Sequence, residues 1–169
     1  MATRLLLISD THVPLRARVL PDAVWRAIDE ADVVIHAGDW VDVATLDAIE
    51  ARPARLIAVH GNNDGAELRA RLPEIARAEV EGLRIAVVHE TGPASGRERR
   101  ADTTFADDPP NLVVFGHSHI PWDSVTPRGM RVLNPGSPTD RRRQPVCTMM
   151  TAVVDRGSLV GVELMPVPR

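Results

Sequence analysis

Short apolar runs that stop abruptly in polar residues recur along this 169-residue chain. Leu5-Leu6-Leu7-Ile8 ends in Ser9-Asp10-Thr11-His12, and Val33-Val34-Ile35 ends in His36-Ala37-Gly38-Asp39. Leu56-Ile57-Ala58-Val59 gives way to His60-Gly61-Asn62-Asn63-Asp64, and Leu112-Val113-Val114-Phe115 to Gly116-His117-Ser118-His119. Runs of this length without alternation predict strands buried on both faces, as in parallel sheets. Between the first three lie stretches with helical spacing. One carries Val24, Trp25 and Ile28 and opens at Pro21-Asp22; the other runs over 43–51, with Leu46 and Ile49 on one face. Strand, helix, strand, helix, strand predicts right-handed parallel crossovers.

Beyond a helical piece near 65–71 the pattern changes. Residues 78–81 and 83–88 flank Glu81-Gly82 as a predicted hairpin, and 95–107 reads as a charged helix. After residue 120 come short β segments with turns at Pro127-Arg128-Gly129, Asn134-Pro135-Gly136 and Asp155-Arg156-Gly157. No repeat, low-complexity tract or linker interrupts the chain, so residues 1–169 are expected to form one α/β domain.

Composition narrows the picture. With 44% hydrophobic and 25% charged residues, the chain reads as globular rather than disordered. Its net charge is -3 and every basic residue other than histidine is arginine, which gives no long-range attraction to nucleic acid. The lone cysteine, Cys147, excludes an internal disulfide and reads as a small apolar strand residue. The apolar run at residues 5–8 is too short for a signal-peptide core or a membrane span, so a cytoplasmic location is the default expectation.

The polar residues at the strand ends carry the chemistry. In open α/β sheets ligands bind beyond the carboxyl ends of the strands. Asp10, His12, Asp39, Asn62, His89, His117 and His119 are therefore expected to converge. Carboxylates gathered so closely repel each other and the imidazoles compete for protons, a conflict that divalent cations remove. Asp10 and His12, like His117 and His119, are two residues apart, which in an extended chain points both to one side. Two cations need one bridging carboxylate, and Asp39 is the natural bridge, with Gly38 allowing close backbone approach. Asn62 offers a neutral carbonyl oxygen. His36 and His60 read as strand-end histidines bonded to backbone, Asp64 as an organiser of the Asn62 loop, Trp40 and Trp122 as packing residues, and Arg141-Arg142-Arg143 as a solvated loop.

In this order the motifs Asp10-x-His12, Gly38-Asp39, Gly61-Asn62-x-Asp64, His89 and Gly116-His117-Ser118-His119 resemble those of the calcineurin-like metallophosphoesterases. The small size and Asn134-Pro135-Gly136-Ser137 resemble the compact bacterial and archaeal phosphodiesterase branch. The resemblance runs from about Arg4 to Ser137. It implies two β-sheets sandwiched between helices, and two divalent metal ions, with Mn expected first and Fe, Zn or Ni as other occupants. Asp10, His12, Asp39 and His119 would hold the first ion, and Asp39, Asn62, His89 and His117 the second. The implied activity is phosphodiester hydrolysis by metal-activated water, with Asp39 and Asn62 as catalytic residues and Asn63 at the substrate. The alternatives are a nuclease and an interaction scaffold, the role of a retromer subunit of the same fold. A small phosphate ester is the expected partner. No membrane partner is expected, while nucleic acid and a second copy of the chain stay open. The sequence departs from the family at Asn63, where many members have a histidine able to protonate the leaving group, and at Glu90, where glycine is frequent.

Overall fold

The computed structural model describes residues 1–168. The chain runs β1 (Thr3–Ile8), α1 (Asp22–Glu30), β2 (Val33–His36), α2 (Val43–Glu50), β3 (Arg55–Ala58), α3 (Ala66–Arg71), β4 (Ile75–Val80) and β5 (Leu83–Val88). It continues through α4 (Arg97–Thr104), β6 (Leu112–Val114), β7 (Trp122–Val125), β8 (Arg131–Asn134), β9 (Cys147–Asp155) and β10 (Ser158–Val167). Among the described residues no helix is long and apolar enough to cross a membrane.

Two five-stranded sheets result, in the orders β10-β9-β1-β2-β3 and β4-β5-β6-β8-β7. Both are mixed. In the first, β1, β2 and β3 are parallel while β9 runs antiparallel to β1. In the second, β5, β6 and β8 are parallel and β4 and β7 are antiparallel edges. The structure is α/β, with two sheets flanked by helices.

The unbroken apolar runs follow from this layering. Leu5 and Leu7 face the second sheet, where Ile85, Val87, Leu112, Val114 and Leu133 meet them in the core between the sheets. Leu6 and Ile8 face the opposite way, onto Val24 and Ile28 of α1 and Leu46 and Ile49 of α2. On the far side of the second sheet, Ala86, Val113 and Val132 pack on Ala101 and Phe105. Each central strand is thus buried on both faces, and alternation disappears.

Two predicted boundaries moved. The charged helix is shorter than 95–107, because Gly96 at φ 75° starts it and Phe105 turns inward at its end. The β segments after residue 120 include two long strands, β9 and β10, joined at Arg156-Gly157, both at positive φ. Glu81-Gly82 makes the expected hairpin turn, again with both residues at positive φ.

Arg97 is buried, only 5% exposed. Its guanidinium lies between the rings of Phe115 and Trp122, 4.6 Å and 4.4 Å from their centroids, and donates to Thr91 Oγ1 and the Gly92 carbonyl. Cation–π contact with both rings and these two hydrogen bonds offset the loss of water. It thereby anchors the segment that follows His89.

Candidate metal centre

The parallel strands β1, β2, β3, β5 and β6 deliver their carboxyl ends to one edge of the molecule, and the loops leaving them carry Asp10, His12, Asp39, Asn62, His89, His117 and His119. The sequence spacing had suggested that Asp10-x-His12 and His117-x-His119 converge through extended backbone. The loops instead turn left-handed: φ is 56° at Asp10, 45° at His12, 60° at Asp39, 71° at His117 and 61° at His119. Each such non-glycine residue costs about 1–2 kcal/mol, and clusters of them mark functional sites.

Two sets of donors meet at Asp39. His12 Nε2 and His89 Nε2 each lie 3.4 Å from Asp39 Oδ2. On one side Asp10 Oδ1 is 3.8 Å from His12 Nε2 and 3.5 Å from His119 Nε2. On the other, Asn62 Oδ1 is 2.9 Å from His89 Nε2 and 3.1 Å from His117 Nδ1. Asp10 with His12 and His119, and Asp10 with Asp39 and His89, are compact enough to share a cation.

The first set also tests whether a metal fits. Asp10 Oδ1, His12 Nε2 and His119 Nε2 are buried and have no hydrogen-bond partner among the described residues. Each such atom costs about 1–3 kcal/mol of unrecovered desolvation. Oxygen and imidazole donors of this kind suit a divalent transition metal. The ring orientations agree. His119 Nδ1 donates to the Asp140 carbonyl at 2.8 Å and His89 Nδ1 to the Ala37 carbonyl at 2.7 Å, so each ring keeps its proton at the rear and can present the Nε2 lone pair.

The surrounding loops fix the carboxylates. Asp10 Oδ2 accepts from Ser9 Oγ (2.8 Å) and the His117 N–H (3.0 Å), leaving Oδ1 to face the site. Asp64 binds the N–H groups of Gly61 and Asp39 through Oδ2 and that of Val41 through Oδ1, tying the second loop to the third. Asn63 donates its backbone N–H to Asp39 Oδ1 (2.9 Å) and its side-chain amide to Asp39 Oδ2 (2.7 Å). Gly38 is required where it stands, since at φ 97° a Cβ would meet the Gly61 nitrogen and His89 Nδ1 at 2.8 Å. A Cβ on Gly61 would collide with Asp39 Oδ1.

Electrostatics follow the geometry. Burial acts to raise the Asp39 pKa, but the hydrogen bond and charge of His89, with both Asn63 donors, outweigh it and hold this carboxyl far below the usual range. Burial pulls His89 down, and Asp39, Asp10 and the Ala37 carbonyl together raise it above 6.5. His119 is lowered, because burial exceeds the pull of Asp10.

The remaining candidates fall outside the donor sets. His36 is fully buried, stacks on Trp40 at 3.5 Å, accepts the Gly38 N–H at Nδ1 and bonds Thr11 Oγ1 through Nε2. His60 lines a cleft of about 180 Å³ beside Asn62 and His89, together with Arg69, Glu74 and Glu90. Glu90 Oε1 stands 3.8 Å from His117 Nε2 at the mouth. Trp40 and Trp122 pack rather than wall the cleft. Sequence reasoning missed three supports. Ser137 Oγ donates to the Asp10 carbonyl, Thr139 Oγ1 to that of Thr11, and Asp140 holds His119. Only the Asn134-Pro135-Gly136-Ser137 turn hinted at that loop.

The model of the calcineurin-like phosphoesterase superfamily domain matches residues 3–157. A probable metallophosphoesterase of Methanocaldococcus jannaschii is 32% identical over 89% of this chain and 76% of its own length. A phosphodiesterase of the same organism is 24% identical over 67% of this chain and 71% of its own. A Thermotoga maritima protein solved by NMR superposes with TM-score 0.76 at 35% identity, covering 97% of this chain and 99% of that one. Vps29 of Entamoeba histolytica, solved with zinc, superposes with TM-score 0.73 at 20% identity over 98% and 99% of the two chains, a likeness of fold.

Proposed function

From the premise that this chain belongs to the calcineurin-like phosphoesterase superfamily, a metal-dependent family, we propose that it is a dinuclear phosphodiesterase. The carrying observation is the position of Asp39 Oδ2, 3.4 Å from an imidazole nitrogen of each donor set. Asp10, His12, Asp39 and His119 would hold one divalent cation, and Asp39, Asn62, His89 and His117 the other, with Mn the first occupant to try. When bound, such a pair supplies an activated water nucleophile and stabilises charge on the phosphate oxygens.

The chain's own groups set the rest. The depressed Asp39 pKa keeps the bridge ionised at any working pH. Asn62 contributes an uncharged oxygen, which limits negative charge where an anion must bind. Asn63 holds both oxygens of Asp39 and carries no proton for a leaving group at neutral pH. The Glu90 carboxylate at the mouth repels a dianionic monoester more than a monoanionic diester. The phosphodiesterase named among the relatives points the same way.

The test is hydrolysis of bis-p-nitrophenyl phosphate by Mn-loaded protein, with metal counted per chain and activity removed by chelation. Two ions and chelator-sensitive turnover are expected. A metal-free protein without turnover would favour the scaffold reading instead.

A further inference from the structure

The site continues outward from His119 into a rim of opposite charge to its other wall. Asp140, whose carbonyl holds His119 Nδ1, has its carboxylate Oδ2 3.6 Å from the same nitrogen. That oxygen lies 3.5 Å from Arg16 Nε and 4.0 Å from Arg142 Nε. Arg16 sits in the turn directly after His12, its N–H donating to the His12 carbonyl at 2.8 Å. Arg142 is fixed by its own N–H on Asp140 Oδ1 and by a left-handed backbone, φ 47°. Both side chains remain more than half exposed, at 61% and 51%. One carboxylate thus lies near two guanidinium groups without accepting a hydrogen bond from either. Residues 13–20 and 141–146 add Arg18, Arg141 and Arg143 and no acidic residue. Across the site, the cleft beside Asn62 carries Glu74 and Glu90, while its cation, Arg69, is engaged by the Asp64 and Gly61 carbonyls.

Resting on the phosphodiesterase reading, we propose that Arg16 and Arg142 bind a second anionic group of the substrate, one linkage away from the scissile phosphate on the His119 side. The preferred substrate is a short phosphodiester bearing an adjacent phosphate, such as a 5′-phosphorylated dinucleotide. Paired guanidinium forks suit phosphate oxygens better than point charges do. A long single strand fits poorly. Trp40 is buried, Trp25 lies under Arg52 and Trp122 under Arg97, so no tryptophan is free as a stacking platform, and the far wall is acidic.

The experiment compares dithymidine monophosphate (TpT) with its 5′-phosphorylated form (pTpT). Binding is measured by calorimetry on metal-free protein, and KM is measured on Mn-loaded protein. Wild type is expected to favour pTpT by about fivefold in both, the scale of two exposed charge pairs, with the preference shrinking as salt rises. Arg16→Ala/Arg142→Ala should bring the ratio close to one, while Arg84→Ala, paired with the distant Asp108, should leave it intact. Equal binding of TpT and pTpT by wild type, or a preference that survives the double substitution, overturns the proposal even if both are hydrolysed. A preference in binding without turnover of either would uphold the clamp and remove the hydrolase reading.

Discussion

Asp10 Oδ1 lies 3.5 Å from His119 Nε2, and both atoms are buried without a hydrogen-bond partner among the described residues. Their residues are held from behind, Asp10 by Ser9 and His117 and His119 by Asp140, so neither can turn away to find one. A cation between them would recover the lost solvation, and binding to the folded state alone adds stability. Adding Mn to chelator-treated protein should raise Tm by several degrees, and His119→Ala should remove most of that rise. An unchanged melting curve would count against the proposed site.

On the proposed assignment Asp39 bridges the two donor sets, so its loss affects both. Asp39→Ala should lower bis-p-nitrophenyl phosphate turnover by at least about a hundredfold and reduce bound metal below one ion per chain. Elemental analysis alongside kinetics checks this, and full metal content with full activity would reject the bridge.

Asp64, 4% exposed, satisfies three backbone N–H groups from two loops. Asp64→Ala leaves them unpaired and should cost about 3 kcal/mol in urea unfolding. Gly61→Ala acts on the same joint by steric means, pushing on Asp39 Oδ1. It should weaken metal binding about tenfold or more. Titration with a competing chelator measures that shift.

His36 predicts a pH dependence of stability. Burial, then the neighbouring charge of His89, pushes its pKa well below 6.5. The unfolded chain therefore binds the proton first as pH falls. The stability that the neutral ring contributes is intact above 6.5 and is lost progressively below it, toward the folded pKa. In chelator-treated protein, unfolding free energies at about pH 7.5 and about pH 5.5 should fall further for wild type than for His36→Gln. Parallel losses in the two proteins would contradict this.

Leaving groups should separate sharply. With Asn63 committed to Asp39 and unable to give a proton, nitrophenyl esters should turn over far faster than alkyl esters of the same charge. A leaving-group series under saturating Mn gives the slope. A flat one would mean that another group protonates the departing oxygen.

Much of this was readable along the chain. Local order in sequence encodes burial, and Leu5 to Ile8 announces a strand covered on both faces because no position in it can be polar. The abrupt change to Asp10 and His12, repeated at Asp39, Asn62 and His117, marks strand ends where water-loving donors were kept together, and those residues do meet. The convergence of these side chains and the α/β class were legible for that reason.

What only folding decided is long-range and backbone-borne. The His117 N–H reaches Asp10 Oδ2 across 107 positions because two sheets pack face to face, a relation that no local pattern records. The left-handed turns at Asp10, His12, Asp39, His117 and His119 replace the extended geometry that spacing suggested, since φ at a strand end is set by what the loop must reach. The Asp140 loop and the Arg97 sandwich were invisible for the same cause. Their roles exist only where tertiary packing brings a carbonyl to His119 and two rings to one guanidinium. Side-chain chemistry is written residue by residue, whereas the direction in which each side chain points is a property of the whole packed chain.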